Sequence, residues 1–244
     1  MKDNLTDLVN HTHVLGNVSF VKIVGTDKET EFQSVADDKS VIIQGKFKNV
    51  IPEFNGVFGM PNLTKLNIIL NIPEYDTDAS IVVNTQTKNG ETVPSGLRFE
   101  NKASDFRNDY RFMSTEIVNE KLKDLKAKTS IKWNVSVQPS VANIQRFKFQ
   151  SQANTEEPVF VAKTDGSKLK FHFGDPSSMN GEFVFDNGIS GALTKAWQFP
   201  VAPVISILNL LGDKTLQISD QGALQIIVDS GTAEYTYTLP AQVK

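Results

Sequence analysis

The feature that most constrains this chain is a layout that occurs twice. Starting near residue 4, the sequence reads as helix, hairpin, strand, proline-initiated short helix and further strands, and the same order starts again near residue 140. Thr26-Asp27 and Thr164-Asp165 occupy equivalent hairpin turns 138 residues apart. The letters of the two halves differ, so what repeats is the order of elements. A chain of 244 residues has room for two such domains. The expectation is an α+β protein of two similar domains, each of antiparallel sheet with two short helices: residues 1–112, a connector over 113–130, and residues 131–244.

Local signals fill in this frame. Behind Asp3 and Asn4 as N-cap candidates, Leu5, Leu8, Val9, Thr12 and Leu15 fall on one helical face. From Val18 the period changes to two, and "NVSFVKIV", "TEFQSV" and "SVIIQGKF" read as successive strands. "VIPEFNGVFGMPN" predicts a short helix with Pro52 at its first position, Ile51, Phe54, Val57 and Phe58 on its apolar face, and Pro61 as its stop. "TKLNIILNI" and "ASIVVNTQ" then return to strand. Residues 113–130 are charged, lack Gly and Pro, and weakly favour a helix; of two readings, a short exposed helix and an extended connector, the connector is preferred because the apolar positions are too sparse for a buried face. In the second half, Ser140 caps the helix of "PSVANIQRFKFQSQA", a hairpin turns at Asp165-Gly166, and "GEFVFDNG" is a strand. "FPVAPVISILNLLGD" reads as a helix with Pro203 near its start and Gly212 to end it, followed by three closing strands.

Several chemistries are excluded or weakened. There is no cysteine, which removes disulfides, thiol catalysis and Cys-based zinc sites. Neither a glycine-rich phosphate loop nor a Gly-x-Ser-x-Gly elbow is present. Asp229-Ser230-Gly231 behind three aliphatic residues resembles an aspartic-protease segment, but two carboxylates must share one proton and the chain has one copy. A hairpin turn accounts for these residues equally well. His11 and His13 point to different faces of a helix and cannot share a metal there, and "YDTD" and "ADDK" read first as polar turns. No catalytic residue, metal or cofactor is therefore assigned. With 25 basic and 28 acidic residues the net charge is −3, which excludes a globally basic nucleic-acid binder and leaves room for a local basic surface. No signal-peptide core or membrane-length apolar run is present, so a soluble cytoplasmic protein is expected, with no membrane partner.

One helix carries a nucleic-acid signal. In "SVANIQRFKFQ", helical projection puts Asn143, Arg146 and Gln150 on a polar face, and Val141, Ile144 and Phe147 toward the core, with Lys148 near the apolar side. The first helix adds Asn10 and His11, together with Asp7, which would repel phosphate.

The element order and three stretches resemble the DNA polymerase sliding clamps, with the closest likeness to those of tailed bacteriophages. "VQPSVANIQRFKFQSQANTEEPVFVAKTDGSKLKFHFGD" looks like the start of a clamp's second domain. "VIPEFNGVFGMPNLTKLNIIL" looks like the second helix and following strand of a first domain, and "KTLQISDQGALQIIVDSGTAEYTYTLPAQ" like the closing strands and tail. The resemblance implies a homotrimeric ring around double-stranded DNA, holding a DNA polymerase through sequence-independent phosphate contacts and opened by a separate ATP-dependent clamp loader. It implies DNA-binding roles for Arg146, Lys148 and His11, with Lys46, Lys48 and Lys65 as further contributors, because these helices carry fewer cations than many clamps do. It places the partner-binding site between the two domains, on the connector 113–130 and on the C-terminal residues Tyr237, Leu239, Pro240 and Ala241. The rival readings are a structural or assembly protein of a phage particle and a dimeric aspartic protease. If the protein is viral, the expected compartment is the host cytoplasm.

Overall fold

Alternating burial along the first strands shows how the sheets are laid down. Thr30, Phe32 and Ser34 turn inward and their neighbours outward, and the same period of two carries Ala233, Tyr235, Tyr237 and Leu239 to one face of the last strand. The computed structural model describes residues 1–88, 90–123, 130–177 and 179–242. The chain divides into two units, Met1–Lys126 with Ser230–Tyr235, and Ala127–Asp229 with Thr236–Lys244.

The first unit contains α1 (Lys2–Thr12), β1 (Phe20–Gly25), β2 (Thr30–Val35), β3 (Ile42–Phe47), β4 (Gly56–Pro61), α2 (Leu63–Leu70), β5 (Ser80–Lys88), β6 (Glu91–Glu100), β7 (Arg107–Arg111) and α3 (Thr115–Lys121). One antiparallel sheet has the order β4-β1-β2-β3, and beyond β3 lie the first residues of the final strand; the other sheet is β5-β6-β7. Gly25 ends β1 where a Cβ would sit 1.9 Å from the main-chain oxygen of Phe54, so only glycine lets the 3₁₀ turn Pro52–Phe54 close on the strand.

The second unit contains β8 (Val135–Val137), α4 (Val141–Ala153), β9 (Val159–Asp165), β10 (Lys168–Gly174), β11 (Asn180–Asn187), β12 (Gln198–Pro200), α5 (Val201–Leu208), β13 (Asp213–Ser219), β14 (Ala223–Asp229) and the rest of β15 (Ala233–Pro240). Its sheets run β11-β10-β9-β12 and β15-β14-β13-β8. Ser140 caps α4, its hydroxyl accepting from the Asn143 amide at 3.2 Å. Phe147 of α4 is fully buried among Phe160, Phe171, Phe173, Phe183 and Phe185, with ring centroids 5.0–6.4 Å away. Such edge and offset contacts hold the helix on its sheet.

The duplication is topological. In each unit a helix is followed by four strands, a helix and three strands, and the sheet order β4-β1-β2-β3 matches β12-β9-β10-β11. Three expectations are corrected. The stretch expected as a helix around Pro52 is a single 3₁₀ turn followed by β4, because each residue from Phe20 to Gly25 recruits it as a strand partner. "TKLNIILNI" is helix rather than strand: the Asn62 side chain accepts the Lys65 amide at 3.1 Å, and Leu63, Leu66, Ile69 and Leu70 share a buried face. The expected extended connector forms α3, which buries Val118, with Leu122 just beyond it, against Phe20. Residues 124–129 of that connector lie outside the described residues.

Candidate nucleic-acid interface

Two pairs of helices carry His11, Lys65, Arg146 and Lys148 of the candidates: α1 packs on α2 in the first unit, and α4 on α5 in the second. Each helix buries one face and leaves the other to solvent. The outward residues are mostly uncharged. They include Thr6 and Asn10 on α1, Thr64, Ile68 and Asn71 on and after α2, Val141, Gln145, Phe149 and Gln152 on α4, and Ala202 and Asn209 at α5. Lys65 and Arg146 stand exposed among them, and Asp3 is the acidic exception.

On α4 the polar face read from the sequence is divided between two jobs. The Asn143 amide donates to the Phe185 carbonyl, and the Gln150 amide donates to the Glu182 carbonyl at 3.0 Å. Both therefore fasten the helix to β11 and are not open to a ligand. Arg146 remains exposed, its guanidinium 5.5 Å from the centroid of the Phe183 ring. Lys148 is half-buried. Val141, expected in the core, is 77% exposed: six residues ahead of the buried Phe147, it lies about 120° round the helix from it.

In the first unit His11 is corrected from a solvent-facing DNA contact to a core residue. It is 3% exposed, its ring stacked on Tyr235 at 4.5 Å. Its Nδ1 lies 2.9 Å from the Asp7 carbonyl and 3.2 Å from the Asp7 carboxylate. A side chain so placed reaches no phosphate. Asp7, expected on the surface, accepts from the hydroxyls of Tyr235 at 2.7 Å and Ser230 at 2.9 Å. Burial raises its pKa, and the hydrogen bonds from His11, Tyr235 and Ser230 outweigh that, holding the carboxyl below its usual range.

The remaining lysines differ among themselves. Lys46 projects from β3 but its ammonium rests 2.5 Å from Glu29, which raises its pKa and neutralises much of its charge. Lys48 is exposed after β3, its amide bonded to the Thr232 carbonyl at 3.0 Å. Lys65 stands on the outward face of α2. Among the described residues, no group of three or more His, Asp or Glu is arranged to hold a metal ion.

The proposed partner edge is also corrected. Tyr237 and Leu239 are fully buried, since the alternation of β15 turns them inward with Tyr235, so they offer a partner no side chain. Pro240 is exposed and Ala241 half-buried, its amide bonded to the Gly222 carbonyl at 2.9 Å. The Asp-Ser-Gly segment is a hairpin corner: Asp229 ends β14 opposite Asp213, and the Ser230 hydroxyl accepts the amides of Thr232 and Ala233 at 3.2 and 3.0 Å.

This duplicated arrangement of sheets and helix pairs recurs in solved structures. The A. fulgidus PCNA, in a complex with the C-terminal region of FEN-1, superposes with a TM-score of 0.70 over 100% of this chain and 97% of that one, at 10% identity. The chain has the sliding-clamp fold. PCNA from Thermococcus kodakaraensis gives a TM-score of 0.65 over 99% of this chain and 97% of its own, at 11% identity. Neither a protein-family model nor a curated protein sequence matches the chain. The clamp fold therefore spans this sequence end to end while almost none of its letters are shared. No helix of the described residues is long and apolar enough to cross a membrane.

Proposed function

We propose that the protein is a sliding clamp of the tailed-bacteriophage type: a head-to-tail homotrimer that encircles duplex DNA, slides on it, and tethers a DNA polymerase. One observation carries this reading. In the first unit the outer edge of β3 is covered by the start of β15. By the duplication, the counterpart of β3 is β11 and the counterpart of β15 is β7, and each of these ends its sheet. An exposed strand edge is a row of unpaired main-chain groups. Pairing β7 of one copy with β11 of the next supplies both edges with the partner their counterparts already have, and repeating that contact closes a ring.

The side chains support the pairing. β7 carries exposed Arg107 and Arg111, and β11 carries exposed Glu182 and half-buried Asp186, each pair four residues apart. In this reading the helix pairs face the DNA. Arg146, Lys148 and Lys65 supply the phosphate contacts, Lys48 lies nearby, and the paired Lys46 contributes little. Uncharged neighbours keep the grip weak enough for sliding. The polymerase docks by main-chain and Pro240–Ala241 contacts at the end of β15 rather than by Leu239 or Tyr237. The protein performs no chemistry of its own, and an ATP-dependent loader opens the ring in the cytoplasm of the cell or host.

The test joins native mass to function. A clamp forms a trimer and lengthens primer extension only when polymerase, loader and ATP are all present, without sequence preference. A protein recovered as a component of purified particles and inert in that assay overturns the reading. A dimer would bring back the aspartic-protease alternative.

A further inference from the structure

We propose that Phe183 is the positioning residue for Arg146, holding its guanidinium outward from α4 as a preset phosphate contact. This rests on the reading above, in which α4 faces DNA. Along the outward side of α4, Val141, Gln145, Phe149 and Gln152 carry no charge, and Lys148 is half-buried, so Arg146 is the exposed cation of the helix. Among the described residues no carboxylate pairs with it. The neighbouring acid on β11, Glu182, has its carboxylate 3.1 Å from the His172 ring nitrogen Nδ1.

What meets Arg146 is the ring of Phe183, 5.5 Å from the guanidinium carbon to the centroid. Phe183 is itself fixed: it is 8% exposed, and its ring lies 6.2 Å from Phe147 and 5.8 Å from Phe171. A guanidinium lying over a ring is attracted by the ring quadrupole through its face, while its N–H groups radiate from its edge and stay available to phosphate oxygens. An arginine held this way loses little side-chain freedom when DNA arrives, which is how a helix with one exposed cation can use it well. Asn143 and Gln150, which clamp α4 to the main chain of the same strand, keep helix and ring in register.

The experiment is a double-mutant cycle on the intact ring, reading affinity for a short duplex by fluorescence anisotropy across a low-salt series. The variants are Phe183→Leu, Phe183→Tyr, Arg146→Ala, and Phe183→Leu combined with Arg146→Ala. Phe183→Leu weakens binding about two- to fivefold per engaged subunit and leaves the salt slope unchanged, because no charge is lost. Arg146→Ala lowers that slope by about one per engaged subunit. Phe183→Tyr retains the affinity, since the ring face is kept. Adding Phe183→Leu to Arg146→Ala costs nothing further. An equal loss from Phe183→Leu with and without Arg146 overturns the inference by showing a purely structural effect. So does a ring that binds DNA and keeps its affinity in Phe183→Leu. A wild-type trimer without affinity for duplex DNA at any salt overturns the lining role of α4 itself, and is told apart by the behaviour of the unmutated protein.

Discussion

Charge reversal on the two open strand edges tests ring closure and ring number together. Exchanging Arg107 and Arg111 of β7 for Glu faces acid with acid across the proposed contact, and exchanging Glu182 and Asp186 of β11 for Arg faces base with base. Each exposed pair contributes roughly 0.2–1 kcal/mol, and opposed like charges cost a similar amount, so two reversed pairs swing an interface by about 1–4 kcal/mol. At 1.4 kcal/mol per factor of ten, the interface dissociation constant rises about 5- to 700-fold. Sedimentation velocity over a dilution series reads this as a shift of the trimer-to-monomer midpoint. A chain bearing both exchanges has matched charges at every contact and reassembles. Mixing the two singly exchanged chains is more telling: an even-membered ring can alternate them and repair every contact, whereas a trimer must keep one mismatched interface. Full rescue by the doubly exchanged chain with partial rescue by the mixture is the expected result. Assembly unaffected by either single exchange refutes the edge pairing, and full rescue by mixing refutes the trimer.

Three further outcomes concern the fold. Tyr235→Phe removes the hydroxyl that Asp7 accepts at 2.7 Å, and should cost about 1.5–3 kcal/mol in urea unfolding at neutral pH. Because the folded Asp7 carboxyl lies below its unfolded value of 3.8, that contribution is full above this value and fades as pH falls through the folded one; a deficit unchanged in strong acid would show that the hydroxyl acts elsewhere. Gly25→Ala drives a methyl into the Phe54 carbonyl and should lower stability by about 1–3 kcal/mol or more, so a melting temperature equal to wild type would contradict the close approach. Phe147→Ala empties the centre of the phenylalanine cluster and should cost about 3–5 kcal/mol with loss of near-ultraviolet circular dichroism; a small loss would mean that α4 is held mainly by its polar contacts.

The duplicated order was readable because strand alternation and turn residues are local signals. The register of the repeat held more than the local patterns yielded. At the 138-residue offset Val201–Leu208 falls on Leu63–Leu70, so the helix recognised in the second half already marks α2 in the first. Locally, "LNIIL" is a short apolar run that suits strand and helix alike, and the outward Ile68 blurs the helical period. The inward turn of Leu239 was also legible, since it continues the alternation of Tyr235 and Tyr237. The burial of His11 was not, because the ring that covers it comes from the last strand. Nor was the role of Asn143 and Gln150, whose partners are carbonyls of β11, a feature that side-chain patterns do not display.

The division of β15 between the units has a consequence for how the protein is made. The first unit is finished by Ser230–Tyr235, which leave the ribosome only after residues 127–229 have been synthesised. Until then α1 lacks the Tyr235 ring that stacks on His11, and Asp7 lacks two of its hydroxyl donors. Before that, the outer edge of β3, paired with β2 on its inner side, has no strand to cover it. Translation order thus makes β15 the piece that completes both units, closing the edge of β3 and bringing the Tyr235 ring to His11.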